Sequence, residues 1–168
     1  MNKVISVPFE ESYQSTESDE TTTGTQQQII TNNTFFPDIS LVDARNAMRI
    51  DGTVTRPRLM MALVEAMATV NQDLKDFRKQ CQADNIATLS EADDEVINGQ
   101  SVLEQRYLRA VYCYAVANLY ERYSSYDLTH DGENKSELLN QSVDELRRDA
   151  QYAIRDILGE IRITAELI

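Results

Sequence analysis

Two stretches of this chain repeat apolar residues at alternating steps of four and three, and that spacing restricts the fold more than any other feature. In the first, Leu63, Met67, Val70, Leu74, Phe77 and Cys81 fall on one stripe of a helix; in the second, Leu139, Val143, Leu146, Ala150, Ala153 and Ile157 do the same. A stripe at this period buries itself only against another helix or a sheet. Residues between about Ser101 and Ser124 add a third helix with apolar or aromatic side chains on more than one side, among them Leu103, Tyr107, Leu108, Ala110, Val111, Tyr114, Ala115, Ala117 and Leu119. A helix that is apolar on several sides belongs in the middle of a bundle.

Local signals mark the ends of these helices. A short helix is expected after Asp38, with Leu41, Ala44 and Met48 on one side and a glycine-assisted stop at Asp51-Gly52. Thr55 and Pro57 suit the start of the next, which runs to about Ala83. Ser101 with Glu104 reads as a capping box, and DLTHDGENK, around Gly132, reads as a polar turn. The acidic connection SEADDEVING allows one helical turn begun by Ser90. The expected fold class is therefore all-α, a bundle of three long helices and one short one.

The two ends of the chain read differently. Residues 12–34 are dominated by Ser, Thr, Gln, Asn and acids, too little apolar surface to offset the entropy of ordering, so residues 1–34 read as a flexible arm. Within it, VISVPFE reads as disorder or as a segment that docks on a partner. The helical domain is assigned to residues 35–159 and a tail to residues 160–168. Ile161, Ile163, Ala165 and Leu167 alternate there with Glu160, Arg162, Thr164 and Glu166 before the final Ile168. That period of two reads either as a frayed terminus or as a strand, and a strand needs a sheet edge on another protein to satisfy its backbone.

Charge and side-chain chemistry exclude several functions. The formal net charge is −12; residues 1–34 carry five acids against Lys3, and the rest carries 23 acids against 15 bases. No basic cluster suited to phosphate contacts is visible. Cys81 and Cys113 lack CxxC spacing and read as small buried hydrophobes in a reducing cytoplasm. Apolar runs are too short for a membrane span, and the first residues lack a signal-peptide apolar region. The single His130 lies in a turn without a Glu-x-x-His partner, and no nucleophile elbow, Cys-His pair or glycine-rich phosphate loop occurs. No catalytic residue, metal ligand or cofactor is assigned.

Six of the eight tyrosines lie between Tyr107 and Tyr126. Tyr107 and Tyr114 fit the buried seam, whereas Tyr112, Tyr120 and Tyr126 fall off it and are the candidates for contact with another subunit. Arg147, Arg148 and Arg155, interleaved with Asp144, Glu145, Asp149 and Asp156, read as a solvated face laced with weak ion pairs, or as charges that fix register between identical neighbours.

Three blocks carry a resemblance: NTFFPDI from Asn33 to Ile39, YLRAVYCYAVANLYERYSSYDLT from Tyr107 to Thr129, and DELRRDAQYAIRDILGEIRITAELI from Asp144 to Ile168. Together they resemble the head-completion proteins of P2-like tailed bacteriophages, with the match covering residues 33–168. The resemblance implies a structural virion protein, made in the host cytoplasm and placed at the head-tail junction. Such a protein binds the portal protein after the capsid is filled, helps retain DNA, and presents a surface to a tail or second connector protein. By analogy with helical connectors it implies a ring of about twelve copies around packaged DNA. On that reading, residues 160–168 pair with the portal, and Glu91, Asp93, Asp94 and Glu95 are candidates to face the lumen, where acids would repel DNA. The alternative function is an acidic helical regulator or DNA mimic that occupies a nucleic-acid enzyme; it would work as a monomer or dimer, which a mass measurement with and without portal protein distinguishes from a ring.

Overall fold

The computed structural model describes residues 28–50, 52–124 and 132–160, with the side chains of 123–124 and 132–141 left aside. The arm up to residue 27, Tyr126, His130 and the tail from Ile161 to Ile168 lie outside the described residues.

The packed fold starts ahead of the expected boundary at residue 35. Strand β1 (Ile29–Ile30) pairs antiparallel with β2 (Ile39–Ser40), Ile29 opposite Ser40 and Ile30 opposite Ile39. Leu41 N extends the ribbon by donating to Gln28 O at 2.8 Å. In the intervening loop the Asn33 carboxamide oxygen accepts from the backbone N–H groups of Phe35 and Phe36, at 3.1 and 3.2 Å. That local turn, a habit of Asn side chains, aims both phenyl rings into the core, where each is nearly fully buried. The two rings meet edge to face at 5.0 Å, and Phe36 stacks on Tyr107 at 4.8 Å.

Helix α1 (Leu41–Ala47) follows directly, with Ser40 Oγ accepting from Asp43 N to cap it. It stops earlier than the sequence suggests. The left-handed residue after it is Arg49 (φ 53°), and Gly52 is not in that conformation.

Helix α2 (Arg56–Asp73) and helix α3 (Lys75–Ala83) replace the single long helix expected there. Leu74 between them has ψ 8°, yet its N–H still reaches Val70 O and its carbonyl still accepts from Arg78 N. The apolar stripe therefore continues through the bend: Leu63, Met67, Val70, Leu74 and Cys81 are all buried. Asn85 (φ 62°) closes α3, with Ile86 N bonded to Cys81 O and Asn85 N to Gln82 O, the paired bonds of a Schellman motif.

The acidic connection is ordered. A 3-10 turn (Leu89–Glu91) buries Leu89 completely and ties it to the first ribbon through Leu89 N and Phe35 O. A hairpin of β3 (Val96–Ile97) and β4 (Gln100–Ser101) follows, turning on Asn98 and Gly99, both with positive φ. Two consecutive positive-φ residues match the twist of a right-handed hairpin, hence Asn-Gly. Ser101 Oγ is buried without a hydrogen bond, so the expected capping box is not formed.

Helix α4 (Val102–Ser124) occupies the middle, packed against α2 on one side and α5 (Gly132–Leu158) on another. Helix α5 buries Val143, Ala150, Ala153, Ile154 and Ile157 against it. Gly159 (φ 69°) ends α5, and Glu160 N donates to Arg155 O at 2.9 Å, a second Schellman-type closure. The fold is thus mainly helical, with five helices and two small ribbons among the described residues. The all-α expectation is corrected to that extent: two-residue strands carry too little period-two pattern to be read from sequence.

Candidate interaction surfaces

A half-buried polar cluster fixes the first ribbon to the helices. Tyr107 Oη donates to Asn71 Oδ1 at 2.7 Å, Asn71 Nδ2 donates to Asn32 Oδ1 at 2.9 Å, and Asn32 Nδ2 donates back to Tyr107 Oη at 2.8 Å. Each side chain is donor to one neighbour and acceptor from the other, so the three form a closed circuit. Asn32 also donates to Pro37 O and, through its backbone, to Asp38 Oδ1. Burial pushes the Tyr107 phenol up to about 12, the Asn32 bond opposing this.

The tyrosines proposed as subunit contacts separate. Tyr112 is turned into the fold, 9% exposed, and burial with help from Asp43 raises its phenol to about 12. It is unavailable as an outward anchor, a correction to the sequence reading. Tyr120 is 37% exposed and lines a recess of about 310 Å3 between α4 and α5, with Met48, Leu146, Glu145 and Asp149 around it. Tyr114 is half-buried and accepts a short hydrogen bond from Gln151. It lines a groove of about 400 Å3 that α2 flanks with Ala62, Glu65 and Ala66.

Of the arginines, Arg147 reaches Glu121 at 2.7 Å across α4 and α5, Arg148 is exposed, and Arg155 is half-buried. Arg109 and Asp149 pair at 3.0 Å along the same seam. All four side chains of these pairs are more than a third exposed, so each pair aligns the helices more than it stabilises them.

The four acids of the connection, Glu91, Asp93, Asp94 and Glu95, are all exposed. Glu91 accepts from Ala87 N and Asp93 from Glu95 N, so two of them also hold the chain path. Next to them Val96 and Ile97 are 60% and 55% exposed at the tip of a braced hairpin. Gln105 donates to Ile97 O and Gln100 O, and Val102 N to Glu95 O. A second exposed apolar group lies on α2: Met60, Met61 and Val64. Sequence reasoning takes the SEADDEVING loop as a candidate for lumen or downstream contact but singles out neither Val96 and Ile97 nor the α2 group, although the Asn98-Gly99 pair and the run LMMALV advertise them. Of the tail, only Glu160 is described, exposed and tied to α5 by its backbone.

Among the described residues no group of three or more His, Cys, Asp or Glu could hold a metal ion. Cys81 and Cys113 are buried, and burial raises both thiols, which disfavours the reactive thiolate. No described helix is long and apolar enough to cross a membrane.

Residues 30–168 match the family model for the phage head completion protein (GPL). The "Head completion/stabilization protein" of Escherichia phage P2 is 36% identical over 136 residues, 81% of this chain and 80% of that one. The "Probable head completion/stabilization protein" of Haemophilus phage HP1 (strain HP1c1) is 26% identical over 134 residues, 80% of this chain and 88% of that one. No solved structure matches significantly.

Proposed function

The chain belongs to the phage head completion protein (GPL) family, and from that premise we propose that it seals the DNA-filled head by binding the portal vertex. There it helps retain the packaged DNA and offers the surface to which tail components attach. The observation that carries this reading is the family match over residues 30–168, which takes in nearly all of the described fold. The work is mechanical and needs no catalytic residue.

Three physical features support it. A net charge of −12 without a basic cluster suits a passage through which DNA slides instead of being gripped. Copies arranged as a ring of more than two need two different faces in contact, because an isologous interface is used up in a dimer. Residues 161–168 follow the capped end of α5 in sequence and alternate apolar with polar side chains, a pattern that suits a strand added to the portal.

A truncation that ends the chain at Glu160 tests the last step. It retains the bond from Glu160 N to Arg155 O and so preserves the helix end. Helicity and melting are expected to match the full chain while portal capture is lost. Capture of portal protein at full strength by the truncated chain refutes the assignment of the tail.

A further inference from the structure

The two exposed apolar groups differ in their local charge. Between Lys79 and Arg106 the chain carries no basic residue, and Glu91, Asp93, Asp94 and Glu95 sit immediately before Val96 and Ile97. Between Asp51 and Glu65 it carries no acid; exposed Arg56 and Arg58 sit immediately before Met60, Met61 and Val64, and exposed Glu65 follows them one turn from Met61. One group is therefore an apolar tip behind an acidic approach, and the other an apolar helix face entered from a basic turn.

They also lie at opposite ends of the molecule. Helices α2 and α4 run antiparallel, since Asn71 near the end of α2 bonds Tyr107 near the start of α4, and Ala62 shares a groove with Asn118. The hairpin feeds the start of α4 through Ser101. From Ser101 to the level of Asn118 the axis of α4 advances roughly 25 Å at 1.5 Å per residue. The tip and the face of one copy thus cannot meet each other, and each is left to meet another molecule.

We propose that these surfaces are the two halves of one head-to-tail contact between copies of this chain: the Val96-Ile97 tip of one copy seats on the Met60-Met61-Val64 face of the next, with Asp93, Asp94 and Glu95 opposite Arg56 and Arg58. The proposal rests on the reading that copies assemble with one another at the vertex, and it names the surfaces they use. Rigidity favours the tip as a contact element, because its turn and its Gln105 brace fix it before association. Opposite charge opposes the self-repulsion that an acidic chain otherwise meets on approach, and it selects one orientation. A contact between unlike faces propagates, and closes into a ring if its rotation permits.

Charge exchange in the full chain tests this. One variant carries Arg56→Glu with Arg58→Glu; the other carries Asp93→Arg, Asp94→Arg and Glu95→Arg. Self-association is followed by sedimentation velocity at low ionic strength, alone and with portal protein. Each variant is expected to associate at least about tenfold more weakly than the parent. An equal mixture should return to within about threefold of it, since every contact between unlike variants is again between opposite charges. A second measurement uses Met61→Cys mixed with Ile97→Cys on portal protein, where diamide is expected to link the two variants into a mixed dimer. Copies that assemble on portal protein but ignore both reversals and form no such link overturn this contact while leaving portal binding intact. A chain that neither self-associates nor binds portal protein overturns both readings.

Discussion

Replacing Tyr107 by Phe isolates the polar circuit from the packing around it. The ring that stacks on Phe36 remains and no cavity opens, so the change removes only the hydroxyl. Two bonds go with it, the one donated to Asn71 Oδ1 and the one accepted from Asn32 Nδ2. Asn32 Nδ2 keeps Pro37 O for one proton, whereas Asn71 Oδ1 loses the donor the circuit gives it. Asn32 and Asn71 are half-buried, so water can partly replace the lost bonds and each group contributes no more than the low end of the about 1–3 kcal/mol that an unsatisfied buried polar group costs. The expected loss is therefore about 1–2 kcal/mol, against the roughly 5–15 kcal/mol that a domain possesses. At about 2–4 °C per kcal/mol for a chain of this size, melting should fall by roughly 2–8 °C. Urea denaturation of the parent, Tyr107→Phe, Asn71→Ala and the double variant gives the assay. The double variant should cost clearly less than the sum of the singles, because both break the same circuit. A Tyr107→Phe protein within about 0.5 kcal/mol of the parent would show that the circuit contributes nothing.

Alkaline titration gives a second expectation: the Tyr107 and Tyr112 phenols, raised from 10 to about 12 in the fold, should ionise late when absorbance is followed near the phenolate band. Because folding raises these values, their stabilising share is complete below about pH 10 and is lost as pH climbs through about 12; early ionisation of every tyrosine would contradict their burial. Gly159→Ala should cost about 1 kcal/mol in melting experiments, since the site has room for a Cβ but requires a left-handed backbone; a neutral effect would mean that α5 does not close there. Leu89→Ala should cost about 2–5 kcal/mol, because the side chain is fully buried where the connection meets Phe35; a change under 1 kcal/mol would place that turn outside the core.

The helices were legible because their apolar residues repeat at a period that only a helix satisfies. Leu63 to Cys81 shows this well: the stripe survives the bend at Leu74, which neither Pro nor Gly announces. Helix α4 defeated the same reasoning. With apolar side chains all round, its period no longer distinguishes inside from outside, and Tyr112 was assigned outward while it is packed within. The stop after α1 misled in another way, since Gly52 is the obvious left-handed residue but Arg49 takes that conformation. Ile29 and Ile30 are two apolar residues in a polar run; what orders them is pairing with Ile39 and Ser40, a partner outside any local window. The hairpin did carry its signal in Asn98-Gly99, overshadowed by the acids before it. As for the surfaces, Glu91, Asp93, Asp94 and Glu95 are indeed exposed, but exposure alone does not assign them to a lumen.

The way the first ribbon is fastened has a mechanical consequence. Gln28 is joined to Leu41, and four residues later Asn32 is locked to Tyr107 and Asn71 on the helices. Tension entering the polypeptide ahead of residue 28 is therefore arrested twice before it can tug on the bundle, first at the ribbon and then at the carboxamide knot. With such a double hitch, a pull on the leading end spends itself before it can unravel the body behind it.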